Sequence, residues 1–177
     1  MTLPDTVESR LSALREAFDG SFAKAAGAER PEQLDFLALR IAGDPYAVRL
    51  SEVQSLHASR KLVAAPSRLP ELLGVAGFRG VLTPIYDLGR LLGYAGESSA
   101  KWLVVAEGPS PVGFAFAVFD AHLRVPLERV SPAQAGTAAA IRGAVQLDGS
   151  VLPLLHLPSI IEGIAQRIKT LGSSQER

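Results

Sequence analysis

The chain has no cysteine, which excludes a disulfide framework, a thiolate metal site and a cysteine nucleophile together. Histidine is scarce: His57, His122 and His156 are the full set. No two of them stand at metal-ligand spacing, and none lies in an H-E-x-x-H pattern. No apolar stretch approaches the roughly 18 residues of a membrane span, the longest being Val112 to Phe119. Neither charge sign prevails, with 18 Lys and Arg against 18 Asp and Glu, so there is no electrostatic footprint for nucleic acid or an anionic membrane. The start, Met1-Thr-Leu-Pro-Asp, lacks the basic and apolar regions of a secretory signal. No G-x-S-x-G elbow announces a serine nucleophile. Gly74, Gly77 and Gly80 run into Val81-Leu-Thr-Pro-Ile, a strand, where a phosphate cradle needs a helix N-terminus. These absences point to a soluble, cytoplasmic protein that is not membrane-inserted and has no catalytic residue, cofactor or metal.

What is present is a chain of 177 residues with 47% hydrophobic content, enough for one substantial domain and an appendage. Residues 5–26 read as an amphipathic helix, because Val7, Leu11, Leu14, Phe18 and Phe22 recur at steps of four, three, four and four. Asp5 and Glu8 fit a capping box. Gly27 to Gln33, with Pro31 inside, reads as a linker. From Leu34 the period shortens. Leu34 to Ala42 and Tyr46 to Leu50 read as strands around Gly43-Asp-Pro. Pro66 and Pro70 bracket a loop. Leu73 to Phe78 and Val81 to Tyr86 follow as strands joined by Arg79-Gly80, and Asp87 to Gly93 as a short helix.

The second half repeats the idiom. Trp102 to Ala106 and Val112 to Phe119 are apolar runs joined by Gly108-Pro-Ser-Pro. Leu123 to Val130 is a strand, and Ser131 to Ala139 a loop. Ile141 to Leu147 and Ser150 to Leu157 pair around Asp148-Gly149. Ser159 and Glu162 fit the cap of a last helix, with the stripe Ile160, Ile161, Ile164, Ile168 and Leu171, ended by Gly172. Leu82-Thr-Pro84-Ile-Tyr-Asp-Leu88 and Val151-Leu-Pro153-Leu-Leu-His-Leu157 echo one another, each a strand with an interior proline feeding a helix. Two such units, each of about five short strands, suggest two small barrels side by side.

Two features allow more than one reading. Arg79 stands between apolar strands where a turn ordinarily carries Asn, Asp or Ser; it is either a solvated turn residue or an arginine presented to a partner's carboxylate. The face made by Val7, Leu11, Leu14, Phe18 and Phe22 either packs on its own domain or binds a partner. In the competing enzyme class, His156 or His122 would serve a small hydrolase, which needs a cleft where the histidine meets a serine or carboxylate.

Leu72-Leu-Gly-Val-Ala-Gly-Phe-Arg-Gly-Val-Leu-Thr-Pro-Ile-Tyr-Asp-Leu88 resembles the signature of the CheW family of chemotaxis coupling proteins, a G-V-x-N-x-R-G segment followed by V-P-V-x-D-L and a short helix. Tyr46-Ala-Val-Arg-Leu-Ser-Glu-Val53 is similar to the family's preceding strand and turn. The resemblance covers about residues 34–170. It implies a mainly β fold of two five-stranded β-barrel subdomains, here with an added N-terminal helix and a C-terminal helix. The division is then 1–33 for the helix and linker, 34–172 for the CheW-like domain and 173–177 for a tail. It implies a bacterial, non-catalytic adaptor in a two-component chemotaxis system, bridging the cytoplasmic tip of a chemoreceptor to the regulatory domain of a CheA-type histidine kinase within membrane-bound receptor arrays. The alternative within that class is an accessory protein that binds a receptor or another partner without the kinase. The family's receptor-facing positions fall on Val53, Gly74 and Arg79. Two departures stand out: Ser55 occupies a place where the family often has an acidic residue, and Gly77 replaces the signature asparagine.

Overall fold

Alternating apolar residues make a strand with one buried face, and continuous apolar runs make a strand with two. Both kinds occur in the computed structural model, which describes residues 32–58, 60–96 and 100–173. The helix expected over residues 5–26 and the tail from residue 174 lie outside them. The strands are β1 (Gln33–Ile41), β2 (Asp44–Arg49), β3 (Val53–Ala58), β4 (Leu72–Phe78), β5 (Val81–Asp87), β6 (Trp102–Ala106), β7 (Gly113–Phe116), β8 (Val118–Pro126), β9 (Val130–Pro132), β10 (Ile141–Leu147) and β11 (Ser150–Leu155). Helix α1 (Leu88–Leu91) follows β5, and α2 (Leu157–Ser173) follows β11. One sheet runs β8-β1-β2-β11-β10-β9 and the other β3-β6-β7-β5-β4. From Gln33 onward the chain is one compact unit.

Three clusters form the interior. Phe36, Ala38, Ala47, Val125, Val145, Leu152 and Leu154 fill the concave side of the six-stranded sheet. Ala76, Phe78, Ile85, Leu103, Val105 and Ala115 do the same for the five-stranded sheet. A third cluster draws on both sheets and on α2, with Leu39, Ile41, Val48, Val104, Phe114, Phe116, Leu155, Ile160 and Ile164 among its members. On β6, Leu103 and Val105 therefore serve one core while Val104 and Ala106 serve the other. That is why Trp102 to Ala106 is apolar without a break.

The expected pair of five-stranded barrels is corrected in detail. The run expected as one strand, Leu123 to Val130, starts earlier at Val118 and breaks at a 3-10 turn over Leu127–Arg129. Its two pieces pair with β1 on one side and β10 on the other. The six-stranded sheet is thus a half-barrel whose edges are successive parts of one bent segment. The five-stranded sheet stays open. Between its edges, the segment after β3 reaches β4 through one isolated bridge, Val63 to Val75, with both hydrogen bonds at 2.9 Å. Pro66 lies three residues on, and proline has no N–H to extend a ladder.

The internal echo holds at the level of register. β5 pairs antiparallel with β4 and parallel with β7, while β11 pairs antiparallel with β10 and parallel with β2. Val75 faces Pro84 as Ala144 faces Pro153, and each hairpin has a register shift ending on a glycine, Gly74 or Gly143. A Cβ on Gly74 would lie 2.4 Å from the Val63 carbonyl oxygen, and one on Gly143 would lie 2.2 Å from that of Ser131. Gly74 also has a φ of +144°, which L side chains rarely adopt. These glycines let a neighbouring backbone cross at a distance no side chain allows.

The helix starts also correspond. Asp87 caps α1, its Oδ1 accepting from the Arg90 N–H at 3.0 Å. The cap of α2 is His156 rather than the expected Ser159, since His156 Nδ1 accepts from the Ser159 N–H at 3.2 Å. Gly74→Ala and Gly143→Ala should each lower unfolding stability by about 2–4 kcal/mol in urea, through strain and forced separation of strands. Gly77→Ala, with nothing within 4 Å of the added Cβ, should stay within roughly 0.5 kcal/mol.

Candidate functional site

The β4–β5 hairpin closes on two residues with left-handed backbone, Arg79 (φ 48°) and Gly80 (φ 82°). A two-residue loop with positive φ at both positions is the I′ geometry that matches strand twist, and it ordinarily takes Asn, Asp or Gly first. An arginine there costs about 1–2 kcal/mol of backbone strain, as does Ala42 (φ 53°) before Gly43 in the β1–β2 turn; what distinguishes Arg79 is its long charged side chain at the exposed tip. Beside the tip, Leu82 and Val81 are 75% and 50% exposed, and Val63, bridged to Val75 further down β4, is 64% exposed.

Across from the tip lies the edge strand β3. A bulge between Val53 and Ser55 interrupts its pairing with β6 and resets the alternation of its side chains. Val53 and Leu56 pack toward the shared core, while Gln54, Ser55 and His57 line a groove of about 560 Å³. Arg60, Phe78, Arg79, Val81 and Thr83 complete it together with the loop of Gly108, Pro109 and Pro111.

His57 organises this groove. Its ring stands 4.7 Å from that of Phe78, and its Nε2 is 2.9 Å from Ser55 Oγ. The Arg60 guanidinium lies 5.2 Å over the Phe78 ring, within range of a cation–π attraction. Partial burial pushes the His57 pKa below its ordinary value, and the charges of Arg60 and Arg79 push it further the same way. Among the described residues no carboxylate or hydrogen-bond acceptor engages the Arg79 guanidinium.

The three positions singled out by resemblance lie in three different settings. Arg79 is at the groove, Val53 is half-buried toward the core, and Gly74 is buried beneath Val63. The face of Val7, Leu11, Leu14, Phe18 and Phe22 lies outside the described residues. The roles of His57 and Arg60 escaped sequence reasoning. The period-2 placing of Ser55 and His57 on one strand face was the available signal.

His156 is the place where a hydrolase reading has geometry to stand on. Its Nδ1 lies 2.7 Å from Ser159 Oγ, and its Nε2 lies 4.0 Å from Glu52 Oε1. The surroundings make this a helix start. Ser159 Oγ also accepts from Arg142 at 3.2 Å, and Glu52 Oε2 accepts the Leu157 N–H at 2.8 Å. The amides that could meet a developing oxyanion are consumed, since Leu157 serves Glu52, Ser159 serves His156, and Pro158 has none. His122 pairs with Asp35 at 2.9 Å on the exposed surface of β1 and β8, with Arg124 on the same carboxylate. No serine nucleophile meets it among the described bonds. No group of three or more His, Asp or Glu among the described residues could hold a metal ion, and no described helix is long and apolar enough to cross a membrane.

Two curved sheets sharing a core, with an arginine-tipped hairpin beside exposed apolar residues, define a β scaffold whose distinctive chemistry is at its surface. The sequence matches the CheW-like domain family over residues 35–165, and the chain belongs to that family. Its fold is similar to that of the scaffolding protein TtCheW from Thermoanaerobacter tengcongensis, with a TM-score of 0.65 at 15% identity, covering 71% of this chain and 90% of that one. No curated protein matches.

Glu52 supplies a stability test. Burial raises its carboxyl pKa, against the Leu157 N–H and nearby His156, Arg49 and Arg142, which lower it. The folded chain then holds this proton to higher pH than the unfolded chain. Its contribution to stability is greatest below the unfolded pKa and is lost as pH rises through the folded pKa. Glu52→Gln keeps an acceptor for Leu157 and should remove that pH dependence without loss of stability at pH 7. Glu52→Ala strands the amide and should cost about 1–3 kcal/mol in urea unfolding.

Proposed function

We propose that the chain is a non-catalytic chemotaxis-type signalling adaptor that couples a chemoreceptor's cytoplasmic tip to the regulatory domain of a CheA-type histidine kinase. The observation that carries this reading is the match to the CheW-like domain family over residues 35–165; likeness in fold to a scaffolding protein supports it. On this reading the protein works in the cytoplasm at receptor arrays, and the domain of residues 34–172 is its working part.

Val53, Gly74 and Arg79 are the receptor-binding positions in this proposal, in different ways. Arg79 would touch the receptor directly. Gly74 would act through shape, by letting the segment at Val63 cross β4. Val53 would set the start of β3 and the bulge after it. The stripe Val7, Leu11, Leu14, Phe18 and Phe22 is proposed as an additional partner-binding face.

Purified full-length protein should bind both a receptor tip and a kinase regulatory domain in separate pull-downs. Capture of the receptor alone would make it an accessory protein, and capture of neither would refute the adaptor reading. Arg79→Ala should weaken receptor binding about tenfold while moving unfolding stability by less than about 0.5 kcal/mol, or even raising it through relief of strain. Deleting residues 1–33 should leave the melting temperature close to that of the full chain and abolish one interaction. A large loss of stability with binding intact would assign the stripe to the protein's own packing.

A further inference from the structure

We propose that the groove between β3 and the β4–β5 tip receives a carboxylate, an Asp or Glu side chain flanked by apolar residues on a partner protein, held between Arg79 and Arg60. This rests on the adaptor reading for the partner's being a protein, and it adds the chemistry of the contact.

Charge is the first argument. The groove gathers Arg60, Arg79 and His57, and among the described residues no acidic side chain lines it. Elsewhere Arg40, Arg124, Arg129 and Arg167 each hold a carboxylate, while Arg90 and Arg142 bond a carbonyl and a hydroxyl; what sets Arg60 and Arg79 apart is that both line one groove. Arg60 has only the Phe78 ring, and Arg79 has no partner among the described residues. Two guanidinium groups facing one cavity repel each other, and a carboxylate entering between them removes that cost and accepts N–H bonds from both.

Geometry is the second. Arg79 is held at the tip by a left-handed backbone, so its side chain starts from a fixed point. Phe78, between His57 and Arg60, gives the groove an aromatic wall. Val81, Pro109 and Pro111 in the rim offer apolar area to residues on either side of the acid. Ser55 and His57 add a hydroxyl and an imidazole, which in its neutral form can donate one N–H to the incoming carboxylate.

The test uses the full chain and three synthetic peptides with one Leu/Ala framework, carrying Glu, Gln or Lys at the same positions. In amide-resolved NMR titrations the Glu peptide should shift the resonances of Ser55, His57, Arg60 and Arg79 and bind about tenfold tighter than the Gln peptide. The Lys peptide should bind more weakly still. The double substitution Arg60→Gln with Arg79→Gln should erase the preference for Glu, and Arg68→Gln, exposed and outside the groove, should leave it intact. The His57 pKa, read from its ring resonances, should rise when the Glu peptide is bound. Equal binding of the Glu and Gln peptides, shifts confined to another surface, or no binding at millimolar peptide would overturn the proposal. Inorganic phosphate producing the same shifts with no preference for Glu would replace it with a general anion site. A protein that binds the receptor tip yet treats the Glu and Gln peptides alike would lose this inference and keep the adaptor reading.

Discussion

The shared core is the constraint on which the rest of the structure depends. Two small curved sheets each have an inner side to fill, and neither is large enough to bury both faces of its strands alone. They meet over Leu39, Ile41, Val48, Val104, Phe114, Phe116 and Leu155, and α2 covers the seam with Leu157, Ile160 and Ile164. A fully buried Leu or Phe side chain contributes about 1.5–3 kcal/mol, so separating the sheets would expose far more than a domain of this size has in reserve. Glu52 acts at the same seam. It stands in the 3-10 turn between β2 and β3, where the chain passes from one sheet to the other, and it accepts the first amide of α2. One partly buried side chain thereby ties the crossover to the helix that closes the core.

The two sheets are built on one plan. In each, a glycine allows a close backbone crossing, an antiparallel hairpin follows, and a proline-bearing strand feeds a capped helix. The shared features all answer steric demands, which explains why they persist in both halves. The hairpin tips have diverged. The second carries Asp148, paired with Arg129, and only its glycine is left-handed. The first carries Arg79 in left-handed backbone, with no partner among the described residues. Residues that serve the fold recur, and the residue that departs from the plan stands at the surface.

This distinction decides how much was legible in the sequence. Most strands, both central hairpins, the short helix after Asp87 and the stripe of α2 were readable, because periodicity and turn chemistry are local. β3 was not read as a strand, and the run from Val112 to Phe119 proved to be β7 and the start of β8. The echo around Pro84 and Pro153 was readable and proved correct to the residue in register. The splitting of residues 118–132 into β8 and β9 was not, since nothing local says that the chain changes its pairing partner at Pro126. The α2 cap was misplaced because His156 does the work of a serine, its ring nitrogen accepting where a hydroxyl oxygen ordinarily would. Among the site residues, Arg79 was visible as an anomaly of composition. His57 and Arg60 were not, because their meeting with Phe78 depends on the bulge after Val53 and on the bridge from Val63 to Val75.

The bulge also explains how such a groove stays ordered while it collects like charges. Were Gln54 paired regularly instead of bulged, the alternation of β3 would turn Ser55 and His57 to the shared core and bring Leu56 out. With the bulge, Leu56 anchors the strand below while His57 packs on Phe78 above. The two arginines then sit on long side chains at the margin, where solvent screens their repulsion. Partial burial first, and the two positive charges after it, hold the His57 pKa below its ordinary value, which disfavours a third positive charge in the groove. The free protein is thus organised by packing under Phe78, and its charge is left uncompensated where a partner can reach it. Complementarity of that kind fixes orientation and rejects basic surfaces more than it adds raw affinity. On the adaptor reading proposed above, turning away a basic surface is as much a part of such a contact as holding an acidic one.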